Sequence, residues 1–339
     1  MYFSINNKTK IYVACMPCYK TGGTELLHQL VDELNSTGHN ALIYYYNESD
    51  SPQNEAFSIY NCPYVMTIPG EDNNENNILI VPEVNTNLLY KYSKMQKAIW
   101  WLSVDFFYNY LNLTTGRNSF EIKIKKCIKR ILHNMSHFNF GKEKNSIVHL
   151  CQSRYASEFV KNQGCKNVLM LSDYINDIYF SKTYTTNNRE DIILYNPQKG
   201  RDTTEQIIQK YNEYYSDTKW IALEKMTNEE VRSTLERSKV YIDFGNHPGK
   251  DRFPREAAIC YCCIITGLKG AAKYQEDIDI LPKYKIEDGN IEVVVERIRD
   301  CIVNYSDNIT AFKPYRDKIV QEKNVFKKQV HDIFKDGDL

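Results

Sequence analysis

The feature that most constrains this chain is the alternation of short apolar strand-like runs with helical segments along most of its length. Ile11–Cys15 is strand-like, and Thr24–Asn35 then places Leu26, Leu27, Leu30, Val31 and Leu34 at helical spacing, with Gly38 as a stop. Further strands are predicted at Ala41–Tyr46, Ile78–Val81, Ala98–Leu102, Ser146–Cys151 and Val168–Leu171, with a helix at Ala156–Asn162. Residues 180–190 are polar and aperiodic, and read as an interdomain linker. After them the pattern restarts: strand Asp191–Tyr195, helix Thr203–Tyr214, strand Lys219–Leu223, helix Asn228–Ser238, strand Lys239–Phe244, a helix opened by Pro254, and strand Cys262–Thr266. Ile291–Val303 and Ala311–Phe334 read as two further helices.

Consecutive β–α–β units require crossovers, so each run predicts a parallel sheet flanked by helices. A length of 339 residues also favours two domains. The expected architecture is α/β, two Rossmann-like domains facing across a cleft. Their bounds are 1–182 and 190–310, with 311–339 a C-terminal helix packing back on the first domain.

Lys+Arg and Asp+Glu both total 43, so the formal net charge is zero and any anion site must be local. A nucleic-acid binder would show a basic excess, and that class is not expected. No apolar run approaches the roughly 18 residues of a membrane span. The first residues lack a signal pattern, so a cytoplasmic protein is expected. Ten cysteines would suggest disulfides in a secreted chain, but Cys15, Cys151, Cys262 and Cys263 fall in apolar strands and read as reduced core thiols. Cys15-X-X-Cys18 has no second Cys pair or His cluster to complete a zinc site, and no metal is expected.

Three loops that leave strand ends and enter helices carry the candidate chemistry, because ligands in such sheets sit where strands end and helix N-termini point. The first contains Gly22 and Gly23, which let backbone approach an anion; a structural turn is the alternative. It has neither the Gly-X-Gly-X-X-Gly of dinucleotide sites nor the Gly-Lys-Ser/Thr of a P-loop. The second is Asn196-Pro197-Gln198-Lys199-Gly200, where Lys199 is placed for a phosphate contact. The third runs from Asp243 to Ala258 and carries His247, Arg252, Pro254, Arg255 and Glu256. Arg252 suits bidentate recognition of a pyrophosphate, and His247 is a candidate for phosphate or sugar contact.

Taken in order, these three loops resemble those of the GT-B glycosyltransferases, among them bacterial polysaccharide hexosyl- and rhamnosyltransferases. The resemblance covers nearly the whole chain. It implies transfer of a sugar from a nucleotide diphosphate donor, itself a substrate rather than a cofactor, to a hydroxyl on a glycan or lipid-linked acceptor. It also implies that Gly22 and Gly23 approach donor phosphate or acceptor, that Lys199 contacts the pyrophosphate, and that Glu256 holds the ribose hydroxyls. Many retaining members carry two glutamates with seven residues between them; here Pro248 stands at the first position. A non-catalytic scaffold of a glycan assembly complex, or an epimerase or phosphorylase on the same frame, therefore remains an alternative.

An inverting transfer needs a base for the acceptor hydroxyl. Asp105, just beyond the strand that ends in Trp100-Trp101, is the first candidate, with helix capping as its structural alternative. Glu83, after Val81-Pro82, is the second. Residues 120–132 combine an apolar stripe (Ile124, Cys127, Ile128, Ile131, Leu132) with Lys123, Lys125, Lys126, Lys129 and Arg130. That pattern fits either peripheral contact with an anionic membrane, at its inner face, or a basic surface helix.

Overall fold

Strands buried on both faces read as continuous apolar runs rather than alternating ones, and this chain has several, such as Ile78-Leu79-Ile80-Val81 and Cys263-Ile264-Ile265. In the computed structural model, which describes residues 2–107, 137–141 and 143–335, these runs pair in parallel throughout two sheets. The chain divides into two compact units, Met1–Asp173 with Asn324–Leu339, and Tyr174–Lys323.

The first unit holds β1 (Lys10–Cys15), α1 (Gly22–Ser36), β2 (Asn40–Tyr45), β3 (Tyr64–Val65), β4 (Ile78–Pro82), α2 (Leu88–Lys91), β5 (Gln96–Trp101), β6 (Val148–Cys151), α3 (Arg154–Asn162) and β7 (Val168–Met170). Its seven strands lie in the order β3-β2-β1-β4-β5-β6-β7. The direction of strand addition therefore reverses between β1 and β4. Their carboxyl ends flank the switch point, the place where an open parallel sheet leaves a crevice. On one face Trp101 packs against Phe107, Phe140 and Phe159, with ring centroids 5.0, 5.5 and 5.6 Å away. Its indole N–H donates to Nδ1 of His149 at 3.1 Å, which leaves Nε2 as the protonated nitrogen, 2.8 Å from the Lys144 carbonyl. Burial pushes the His149 pKa down to about 4, so this ring is a neutral core group.

The second unit holds β8 (Glu190–Tyr195), α4 (Arg201–Tyr214), β9 (Lys219–Ala222), α5 (Asn228–Arg237), β10 (Ser238–Asp243), α6 (Arg252–Ile259), β11 (Cys263–Thr266), α7 (Ile291–Val303), α8 (Tyr305–Asn308) and the first half of α9 (Lys313–Ile333). The strand order is β11-β10-β8-β9, so its switch point lies between β8 and β10.

Most elements fall within a few residues of their sequence positions. Helix α6 differs in kind: it starts at Arg252, two residues before Pro254. Pro254 is thus the third helical residue, still within the first turn, where its missing N–H breaks no intrahelical bond. The described cysteines are free thiols, most of them buried as expected; Cys18 is exposed. Burial pushes the Cys15 thiol up to about 12. Among the described residues no helix is long and apolar enough to cross a membrane. The basic segment 120–132 lies outside the described residues.

The polar stretch 180–190 belongs to the second unit and is built into it. Tyr184 is buried in that unit's core. The Arg189 guanidinium donates five hydrogen bonds of 2.7–3.2 Å, all to main-chain carbonyls, those of Thr185, Leu235, Ser238 and Cys260. Leu235 lies in the last turn of α5 and Cys260 directly follows α6, so one cation satisfies the ends of two helices. Arg189→Met should strip those carbonyls of the arginine's five hydrogen bonds and destabilise the protein by about 3 kcal/mol, measured as a shift of the urea unfolding midpoint. A change below about 0.5 kcal/mol, the range of ordinary surface substitutions, would show that water replaces the arginine at little cost.

Candidate functional site

In the second unit both predicted loops leave the two strands that flank the switch point. The β8 loop delivers Lys199 and enters α4; the β10 loop delivers His247, Lys250, Asp251 and Arg252 and enters α6. The loops are pressed together. Gly200 has φ +59°, and a Cβ there would run into the Phe244 carbonyl, so only glycine fits both the backbone twist and the gap. Hence Gly200 is needed for close packing of one loop on the other.

That packing sets charges side by side. Lys199 Nζ lies 2.6 Å from Asp251 Oδ2. His247 is fully buried, with Nδ1 2.9 Å from Asp251 and Nε2 3.5 Å from Asp243. These two contacts have ion-pair distances without hydrogen-bond alignment. Asp243 is itself held by the Tyr241 hydroxyl at 2.9 Å and the Gly245 N–H at 3.0 Å. Burial alone would lower the His247 pKa, but the flanking carboxylates of Asp243 and Asp251 outweigh it and raise the pKa above its ordinary value. Burial likewise works against an ionised Asp251, yet His247 and Lys199 hold it below the usual carboxylate range.

One consequence bears directly on ligand binding. Asp251 occupies the position that caps α6, but its side chain turns to Lys199 and His247 and makes no capping hydrogen bond. Gly200, at the same position of α4, has no side chain to cap with. Two helices therefore begin beside the switch point with their first N–H groups unoccupied by a capping side chain, an arrangement suited to phosphate.

Arg252 and Glu256 lie one turn apart on α6, Nε to Oε1 3.8 Å. Glu256 is 6% exposed and interacts with the hydroxyl of buried Tyr179, whose pKa is raised by burial and then by the Glu256 charge and hydrogen bond. Asp243, His247 and Asp251 bring one metal-ligating atom each within 4.8 Å of one another. The Lys199 ammonium already pairs with Asp251, and the carboxylates favour the charged form of His247, so the donor set fits an internal ion cluster better than a divalent cation.

In the first unit Gly22 and Gly23 are the first two residues of α1, downstream of β1. Thr21 caps the helix by accepting from the Thr24 N–H at 3.2 Å, while the Thr24 hydroxyl accepts from the Thr21 N–H at 2.9 Å. Across the switch point Glu83 follows β4 and is 2% exposed, its Oε2 accepting from the Leu102 N–H at 2.9 Å. Burial pushes its pKa up to about 7 against the opposing pull of backbone N–H groups from Leu102, Glu83 itself and Ser103. Asp105 follows β5, is half-buried, and accepts from the Tyr155 hydroxyl at 3.1 Å. The turn it sits in is capped by Ser103, whose hydroxyl accepts from the Phe106 N–H at 3.3 Å, so Asp105 is not the cap.

The structure thus brings Lys199, His247, Arg252 and Glu256 into one unit and Gly22, Gly23, Glu83 and Asp105 into the other. His247 is sealed between two aspartates and has no exposed surface. Asp243 and Asp251, which organise the cluster, were not singled out as site residues. The available signal was the i, i+4 spacing of Asp243, His247 and Asp251, which reads as an unremarkable polar loop without the fold.

No protein-family model matches the chain, and no curated protein matches its sequence. The likeness is to solved structures. Sucrose-phosphate synthase from Thermosynechococcus elongatus superposes with a TM-score of 0.61 at 11% identity, covering 97% of this chain and 98% of that one. Anabaena HepE in complex with UDP-glucose gives 0.58 at 10% identity, covering 95% and 98%. A mutant of S. aureus TarM, in complex with fondaparinux, alpha-GlcNAc-glycerol and UDP, gives 0.52 at 14% identity, covering 78% of this chain and 56% of the TarM chain. This chain therefore spans little more than half the length of TarM. At such identities the likeness establishes the fold, the GT-B architecture of two parallel α/β units with a long C-terminal helix.

The raised pKa of Glu83 carries a sign that can be tested. Between pH 4.5 and about 7 the unfolded chain has lost this proton while the folded protein keeps it, so the residue's contribution to stability falls as pH rises through that window. Glu83→Gln keeps an acceptor for the Leu102 N–H and never ionises. The stability difference between variant and wild type should shift in the variant's favour by on the order of 3 kcal/mol from pH 4.5 to 7. A pH-independent difference in urea melts would show that Glu83 does not titrate there.

Proposed function

We propose that the protein is a glycosyltransferase that moves a sugar from a nucleotide diphosphate donor to a hydroxyl of a glycan or glycolipid. The observation that carries this reading is the uncapped start of α6, with Asp251 drawn aside by Lys199 and His247, beside a second uncapped helix at the same switch point. The GT-B fold supports it, as do the complexes of HepE with UDP-glucose and TarM with UDP.

The second unit is the donor domain in this reading. Lys199 and Arg252 neutralise the diphosphate, the N-termini of α4 and α6 add oriented N–H groups, and Glu256 accepts from ribose hydroxyls. The first unit is the acceptor domain. In the transfer, the acceptor oxygen forms a bond to the anomeric carbon as that carbon's bond to the diphosphate oxygen breaks, and the electron pair leaves with the diphosphate. In an inverting reaction the acceptor proton passes to the Asp105 carboxylate, with Glu83 as second choice. The catalytic contribution is positioning plus stabilisation of the departing charge.

Lys199→Ala and Arg252→Ala should each weaken nucleoside diphosphate binding by about 1.5–3 kcal/mol in calorimetric titration, the range for charge-assisted hydrogen bonds. Wild-type affinity in both folded variants would remove them from the donor site. Asp105→Asn should lower turnover by about 10²–10⁴-fold with donor affinity nearly unchanged. If turnover survives at the wild-type rate, Glu83 is the next candidate; if both variants stay active, a retaining reaction without an enzyme base replaces the inverting one.

A further inference from the structure

The anion-site loop is held from behind by a buried charge cluster that the function above does not use. Glu322, on α9 and 5% exposed, places Oε1 2.6 Å from Lys250 Nζ and Oε2 2.8 Å from Arg255 Nη1. Arg255 is completely buried. Two further donors go to the main chain: Nη2 to the Lys250 carbonyl at 2.9 Å and Nε to the Asp251 carbonyl at 3.1 Å. The guanidinium therefore grips the backbone of the two residues that precede α6. Asp251, the second of them, is the residue that pairs with Lys199 and His247.

We infer that Glu322 is a positioning residue of the anion site: it orients Arg255 and Lys250, which fix the backbone at 250–251 and so present Lys199, Arg252 and the α6 N–H groups in register. The inference rests on reading that site as a diphosphate site. Its physical basis is the desolvation of the two cations. Buried Lys250 and Arg255 need a counter-charge, and a carboxylate on α9 provides it from an element remote in sequence. A planar guanidinium hydrogen-bonded on several edges has one orientation, so fixing its carboxylate fixes the carbonyls it holds. Lys and Arg paired only with surface acids would leave the loop's conformation unspecified.

A purely structural role makes a different prediction from a positioning role. In Glu322→Gln the two cations lose the Glu322 charge, and some loss of stability follows under either view. In the triple variant Lys250→Met, Arg255→Met, Glu322→Met these three buried charges are removed together, which avoids stranding one against the others while deleting the grip on the loop. In the full-length triple variant, hydrogen exchange of the amides at 245–255 should be faster than in wild type, with β10 and α7 unchanged. Affinity for the best binder among UDP, GDP and ADP should fall by about tenfold or more, the size of coupling carried by such networks. Unchanged loop exchange, or faster exchange with unchanged affinity, overturns the inference. A wild-type protein that binds none of the three nucleotides sinks the donor-site reading instead, and the exchange measurement then decides the positioning role alone.

Discussion

A charge removed from water must find a partner, and the second unit is organised around that requirement. From the end of β10 through the loop that follows it and the helix it enters, Asp243, His247, Lys250, Arg255 and Glu256 are all buried, and Asp251 nearly so. Each is matched: Asp243 by His247 and the Tyr241 hydroxyl, Asp251 by Lys199 and His247, Lys250 and Arg255 by Glu322, Glu256 by Arg252. Because removing one partner strands another buried charge, the loop has few alternative conformations of comparable energy. The neighbouring backbone follows from this, down to Gly200 pressed on the Phe244–Gly245 peptide.

The first unit meets the same constraint by a different route. Glu83 sits at an equivalent place, beside a switch point and at a strand end, but among the described residues its partners are backbone N–H groups rather than cations. Its carboxyl is accommodated by backbone N–H groups and a raised pKa, so it holds or releases a proton near neutrality. His149, deeper in the same unit, gives up its charge altogether and serves as a link between an indole and a carbonyl. One unit therefore presents fixed charges and the other a titratable carboxyl.

Much of this was legible in the sequence because it is local. Helical spacing of Leu26, Leu27, Leu30, Val31 and Leu34 marks α1, and the unbroken apolar run before Pro82 marks a strand buried on both faces. Lys199 and Arg252 were identifiable as loop cations at strand ends. The structural role of 180–190 is not legible locally because it is carried largely by one side chain. Polarity suggests a linker, and nothing local indicates that Arg189 reaches carbonyls about 46–71 residues away.

The sequence alone determined the period of each segment, and with it two parallel α/β sheets, since hydrophobic spacing and crossover chemistry depend only on neighbouring residues. It also determined which residue types stand at strand ends. Strand order was decided by tertiary structure: β1 beside β4, and β8 beside β10, are what bring separate loops to a common switch point. So was the state of each ionisable group. His247 reads as an ordinary loop histidine until two aspartates and a lysine are packed around it. Glu322 reads as a surface residue of a charged helix until Lys250 and Arg255 meet it in the dry interior. Burial and partnership are properties of three-dimensional neighbours, and no local pattern encodes them.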